Sequence, residues 1–204
     1  WVFDIQRQAL SRLTFGGGNS DLALWTPDGK DVIFTSERGR GVGLFRRAWD
    51  GSGGTHDLRV DQTPSVNTVP AITPDGKQVI YGSDGDIWVM DASGGKPSAQ
   101  VLHSDAYEDG PRLSPDGSIL TYLSNESGRI EIYAVPYPGL GGKWQPSTGG
   151  ASSPAIWSRQ GNELFYMSQG KLMKVDVSYK PSVNFSAPRP VCELPPSTYL
   201  VYDI

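Results

Sequence analysis

Short apolar runs recur along the chain between clusters of Ser, Asp, Pro and Gly. Four of them, Val32-Ile33-Phe34-Thr35, Val79-Ile80-Tyr81, Ile119-Leu120-Thr121-Tyr122 and Leu164-Phe165-Tyr166-Met167, are rich in β-branched and aromatic residues. They are largely apolar rather than strictly alternating, the pattern of strands covered on both faces. Before each lies a first strand: Leu22 to Trp25, Val69 to Ile72, Pro111 to Leu113 and Pro154 to Trp157. After each comes a third: Gly43-Leu44-Phe45, Ile87 to Met90, Ile130 to Tyr133 and Leu172 to Val175. A polar, solvent-facing fourth strand is expected beyond a further Gly-rich turn. No amphipathic helix of useful length is visible.

The turn joining the first and second strands has nearly constant wording: Thr26-Pro27-Asp28-Gly29, Thr73-Pro74-Asp75-Gly76, Ser114-Pro115-Asp116-Gly117 and the divergent Ser158-Arg159-Gln160-Gly161. Pro sets φ for the first central position, Asp tolerates the second, and Gly accepts the left-handed conformation. The glycines recur about every 40 to 50 residues, a period of repeat architectures. Four antiparallel strands per repeat at that period predict an all-β chain, a β-propeller whose blades are buried only by their neighbours. The expected layout is one propeller or propeller fragment over residues 1–204. Residues 1–15 supply outer strands of a blade, 16–65, 66–106, 107–150 and 151–196 are complete blades, and 197–204 is the inner strand of a further one.

The ends carry that layout. Trp1-Val2-Phe3-Asp4 matches the third strand Trp88-Val89-Met90-Asp91, so Arg12-Leu13-Thr14-Phe15 is read as the fourth strand that follows it. Tyr202-Asp203-Ile204 falls in the register of Pro70-Ala71-Ile72. Both termini therefore fall inside blades, as in a fragment of a longer protein. Pairing of Tyr199 to Ile204 with the blade begun by Trp1 would close a ring; an open ring would expose blade faces suited to homo-oligomer formation.

These residues resemble the WD-like propeller repeats of the TolB family. The Trp25-Thr26-Pro27-Asp28-Gly29-Lys30 turn and its copies carry the likeness. The match is closest to propellers attached to bacterial serine/threonine protein kinases, through Arg12 to Phe15, Ser124 to Arg129 with Glu131-Ile132-Tyr133, Gly141 to Gln145, Ser147 to Gly150, and Glu163 to Tyr166. The resemblance implies a non-enzymatic binding or sensing module on the periplasmic or extracellular side of a bacterial membrane. TolB-like proteins would bind a lipoprotein and a translocation protein. The fourth turn, with Arg159-Gln160, and Pro146 in a fourth strand depart from the pattern; Pro146 suits an edge strand.

Charge and composition narrow the function. The net charge of −4 and the isolated basic pairs such as Arg46-Arg47 argue against nucleic acid, and no segment is long and apolar enough to insert in a membrane as a helix. Cys192 is the single cysteine, so no intrachain disulfide forms. No G-x-S-x-G elbow is present, His56 and His103 lack a nucleophile context, and no spacing suggests zinc, so neither catalysis nor a cofactor is expected. Asp84 and Asp86 read as a hairpin whose carboxylates bond local backbone, and Trp25, Trp88 and Trp157 as packing between blades, with Trp144 more exposed. The candidate ligand-binding residues head the inner strands at the channel mouth: Ser20, Asp21, Asn67, Thr68, Glu108, Asp109, Ser152 and Ser153. They are polar in every repeat yet differ between repeats, and so would read a protein, peptide or glycan. Two alternatives are an accessory propeller of a prolyl oligopeptidase-like hydrolase, and a glycan-cleaving propeller using Asp21, Glu108 and Asp109.

Overall fold

A computed structural model describes residues 1–15, 18–37, 41–59, 65, 66, 68 and 70–195. Among the described residues every regular element is a strand. In chain order, β1 (Val2–Asp4) and β2 (Ala9–Ser11) form a two-stranded sheet. The strands β3 (Ser20–Trp25), β4 (Asp31–Glu37), β5 (Val42–Ala48) and β6 (His56–Asp57) form a four-stranded meander. A second meander follows from β7 (Ala71–Ile72), β8 (Gln78–Ser83), β9 (Asp86–Asp91) and β10 (Ala99–Leu102). Next come β11 (Glu108–Leu113), β12 (Ile119–Ser124) and β13 (Glu131–Pro136). The last sheet holds β14 (Ile156–Trp157), β15 (Glu163–Ser168), β16 (Lys171–Ser178), β17 (Asn184–Phe185) and β18 (Arg189–Glu193). The pairings are antiparallel. The chain divides into two units, residues 1–84 with 88–99, and 85–87 with the chain from Gln100 onward.

The repeated turns close these sheets as their wording requires. Gly29, Gly76, Gly117 and Gly161 sit at φ of 68°, 71°, 74° and 73° and donate their N–H to Thr26, Thr73, Ser114 and Ser158 carbonyls at 2.8–2.9 Å. In the first three turns the hydroxyl of Thr26, Thr73 or Ser114 donates to the Asp carboxylate at 2.6–2.7 Å. The same carboxylate accepts the N–H of Lys30, Lys77 or Ser118. In the fourth turn Gln160 replaces the aspartate, and Ser158 donates to Asn162 instead, at 3.2 Å. Two hairpins turn on paired left-handed residues, Asp84 with Gly85 and Gln169 with Gly170, the two-residue geometry whose twist matches the strands.

Each unit buries its sheets against one another. In the first, Ile33, Leu44 and Leu58 pack with Val79, Tyr81, Met90 and Ala92, while Leu13 joins Val32, Phe34 and Phe45. In the second, Ile119, Ile132 and Ala134 pack with Ala155, Trp157, Leu164, Tyr166 and Val175. Fully burying one such aliphatic side chain contributes about 1.5–3 kcal/mol, so the shared interior dominates the stability of each pair of sheets.

Three expectations need correction. The strand paired with β1 is Ala9–Ser11, not Arg12–Phe15. Asp4 accepts the N–H groups of Gln6 and Arg7, which tightens the turn and brings the partner strand in earlier. Trp25 is 50% exposed, because the sheet on that side has only two short strands to cover it. The sheet of β11–β13 lacks a fourth strand: a single bridge joins Ala134 to Trp144. Pro146, which has no N–H, ends the ladder there. Trp144 is half-buried, tilted against Phe185 at 5.8 Å between ring centroids.

Candidate functional site

The eight sequence-predicted residues occupy equivalent places in the repeat, eight or nine residues before each turn glycine. Asn67 lies outside the described residues. In the first unit Ser20 donates its hydroxyl to Ser36 at 3.0 Å, and the exposed Asp21 accepts the Thr35 hydroxyl on its carbonyl at 2.9 Å. The Thr68 hydroxyl accepts the Gly82 N–H at 3.1 Å. In the second unit Ser153 repeats that bond, accepting the Met167 N–H at 3.0 Å. Ser152 directs both its N–H and its hydroxyl at the Met167 carbonyl. Thr68 and Ser153 therefore do the same structural work, replacing a ladder acceptor at the head of the inner strand.

Glu108 and Asp109 differ from their counterparts. Asp109 accepts the Tyr107 hydroxyl at 2.6 Å and the Gly110 N–H at 2.7 Å. Gly110 adopts φ +59°, and a Cβ there would meet Pro154 Cγ at 2.6 Å, so β11 lies hard against the segment that leads into β14. Glu108 stands where other repeats place Ser20 and Ser152, but it is only 4% exposed. Its N–H donates to the Gly85 carbonyl at 2.7 Å, and Ser104 donates its hydroxyl to Oε1. Among the described residues no donor reaches Oε2, which is buried. Burial raises the Glu108 pKa, with Asp86 and Glu126 adding to the rise; the Ser104 hydrogen bond and His103 oppose it.

Beside Glu108 the second unit opens a cleft of about 350 Å³. Tyr122 and Val135, both buried, lie on it, with Leu102 and Leu140 on its sides. Glu126 and Lys143 also line it, the Lys143 ammonium donating to Glu126 at 2.6 Å while lying 5.5 Å from the Tyr133 ring centre. His103 lines the cleft too, its Nδ1 being 2.8 Å from Asp86 Oδ1, and Gln100 donates to the other Asp86 oxygen at 2.7 Å. The Asp86 hydrogen bond and charge hold the His103 pKa above its ordinary value. The segment between β10 and β11 is tied at its end to Asn125, whose side chain accepts the Tyr107 N–H, and is turned within itself by the Ala106 N–H donating to Ser104.

Asp86 thus departs from its expected role: its partners are Gln100 and His103, not local backbone. Sequence reasoning missed this pairing because 17 residues separate Asp86 from His103. No group of three or more His, Cys, Asp or Glu residues suited to a metal ion occurs among the described residues. Cys192 is exposed on β18.

No protein-family model matches the chain. The Tol-Pal system protein TolB of Xanthomonas campestris pv. campestris is 33% identical over 88 residues, which make up 41% of this chain and 20% of that protein. A TolB crystal structure from Acinetobacter baumannii superposes with a TM-score of 0.65 at 20% identity, covering 84% of this chain and 44% of the other. The fold is TolB-like. The chain spans about a fifth of the length of the curated TolB relatives that it matches. A puromycin-hydrolyzing peptidase of Mycobacterium tuberculosis also superposes, with a TM-score of 0.63 at 16% identity over 86% of this chain and 31% of the other. At that identity the likeness is one of fold, and fold by itself does not fix function. The closer tie to kinase-attached propellers expected from the repeat wording has no counterpart among these proteins.

Proposed function

We propose that the chain is a non-enzymatic, TolB-like β-propeller module that binds a protein partner on the periplasmic or extracellular side of a bacterial membrane. The observation that carries this reading is the combination of a TolB-like fold with sequence similarity to TolB itself. The name of that relative puts TolB in the Tol-Pal system, so Pal is the partner to try first. A sensing role, as in propellers tethered to kinases, uses the same surface. The repeats run over 16–65, 66–106, 107–150 and 151–196, the third with three strands, and 1–15 supplies strands of an incomplete one; residues 197–204, expected to give an inner strand, lie outside the described residues. Recognition falls to the inner-strand heads Ser20, Asp21, Asn67, Thr68, Glu108, Asp109, Ser152 and Ser153. Asp21, Glu108 and Asp109 give it charge, while Thr68 and Ser153 hold the strand heads in place. Rigid scaffolds with variable loops are the usual carriers of recognition.

The test is calorimetric titration of the intact chain with the soluble domain of Pal from the same bacterium. Binding that falls at least tenfold in the combined Asp21→Ala, Asn67→Ala and Glu108→Ala variant, with unchanged melting, supports the reading. Absence of binding by the unmodified chain overturns Pal as the partner. Undiminished affinity of the folded variant overturns the strand heads as the site.

A further inference from the structure

The cleft beside Glu108 has a chemistry of its own. A carboxylate that is almost wholly buried, with one oxygen lacking any donor, is costly unless something completes its hydrogen bonding. The groups around it do not do so. Ser104 is used on Oε1, His103 is turned to Asp86, and Lys143 is held by Glu126. Asp86 and Glu126 add negative charge beside Glu108, which disfavours an anion. The aromatic and aliphatic walls, Tyr122, Val135, Leu102 and Leu140, are unsuited to a hydrated metal ion and fit a short hydrocarbon stem. Lys143 shows the pattern on a small scale, its ammonium set between a carboxylate and the face of Tyr133.

We propose that this cleft binds an alkylammonium group, its nitrogen donating to the buried Glu108 carboxylate and to Glu126 and its stem lying over Tyr122. The group is a lysine side chain of a partner or a free primary amine; both present the same cation on the same kind of stem. A volume of about 350 Å³ accommodates either. The inference deepens the binding-module reading by giving one edge of the recognition surface a ligand chemistry. Its test needs no protein partner, so it fails or succeeds independently of Pal.

The experiment is a titration of the intact chain, followed by amide NMR shifts, with n-butylammonium, with its neutral counterpart n-butanol, and with N-acetyl-lysine N-methylamide. Butylammonium is expected to saturate with a Kd of about 1–10 mM, within the limits on affinity per atom for very small ligands. The largest shifts should fall at Ser104, Glu108, Tyr122 and Glu126, and butanol should bind at least tenfold more weakly. Glu108→Gln keeps the shape and the acceptor for Ser104, and should lower butylammonium affinity at least tenfold. Tighter binding of the lysine derivative assigns the ligand to a protein side chain, and tighter binding of butylammonium to a free amine; either supports the site. Equal binding of butanol by the unmodified chain overturns the proposal even if Glu108→Gln does not fold. So does undiminished affinity in a folded Glu108→Gln protein.

Discussion

Ser147 donates its hydroxyl to the wholly buried carboxylate of Glu131 at 2.5 Å and accepts the Ile132 N–H at 2.6 Å. One side chain thus does the work of the backbone that Pro146 withdraws from the edge of β13. Ser147→Ala strips a partner from both groups at once. A buried group left unsatisfied costs about 1–3 kcal/mol, so the variant should lose about 2–4 kcal/mol in urea denaturation. A loss under about 0.5 kcal/mol would mean that the edge is satisfied some other way.

Glu131 also sets an acid limit. Burial pushes its pKa up, but hydrogen bonds from Ser147, Arg129 and the Gly150 N–H outweigh that and hold it below the ordinary carboxylate value. Its folded-state pKa lies below the unfolded one, so its contribution is complete above the unfolded value and is lost as pH falls through the folded one. Arg129→Leu raises the folded value and should therefore show a smaller acid-dependent loss, levelling off at a higher pH than in the unmodified chain, read from melting temperatures between pH 6 and pH 3 (roughly the carboxylate range). Superimposable pH profiles would remove Glu131 from the acid response.

Two glycines should respond unequally to the same change. Gly76→Ala places a Cβ 3.6 Å from Pro27 Cδ, an ordinary contact, so it carries only the cost of φ +71°, about 1–2 kcal/mol. Gly110→Ala adds a collision with Pro154 to its own positive φ and should cost at least twice as much, measured by the same denaturation assay. Equal losses would show that β11 and Pro154 part easily.

The His103–Asp86 contact is a titration prediction. Asp86 raises the His103 pKa, so the pair contributes fully below the unfolded imidazole value and fades as pH rises through the folded one. In Asp86→Asn the His103 ring signal in NMR should titrate at lower pH than in the unmodified chain. An unmoved midpoint would separate the two residues.

Much of the architecture was legible because it is written locally. Each Thr/Ser-Pro-Asp-Gly turn holds its own donors and acceptors within five residues, so the strands on either side could be placed from the wording alone. The errors lie where neighbours decide. Asp4 moved the partner of β1 forward, and the short β1–β2 sheet left Trp25 uncovered. The candidate site was less legible. Thr68 and Ser153 look like ligand contacts in sequence, yet each fills a backbone vacancy in its strand pair. The charged cleft joins Asp86, His103, Glu108 and Glu126 across strand ends, and no spacing along the chain announces that meeting. The one available signal was Glu108, a glutamate standing where two sister repeats have serine.

Trp157 and Ile132 belong to one interior although they lie in successive sheets. A protease cut near Gly150 would therefore not release a domain. It would strand two half-wrapped layers, each with an oily side facing water, and both would melt. The smallest durable piece of this protein is a couple of consecutive repeats, so insertions and truncations should be tolerated by whole repeats and rejected within them.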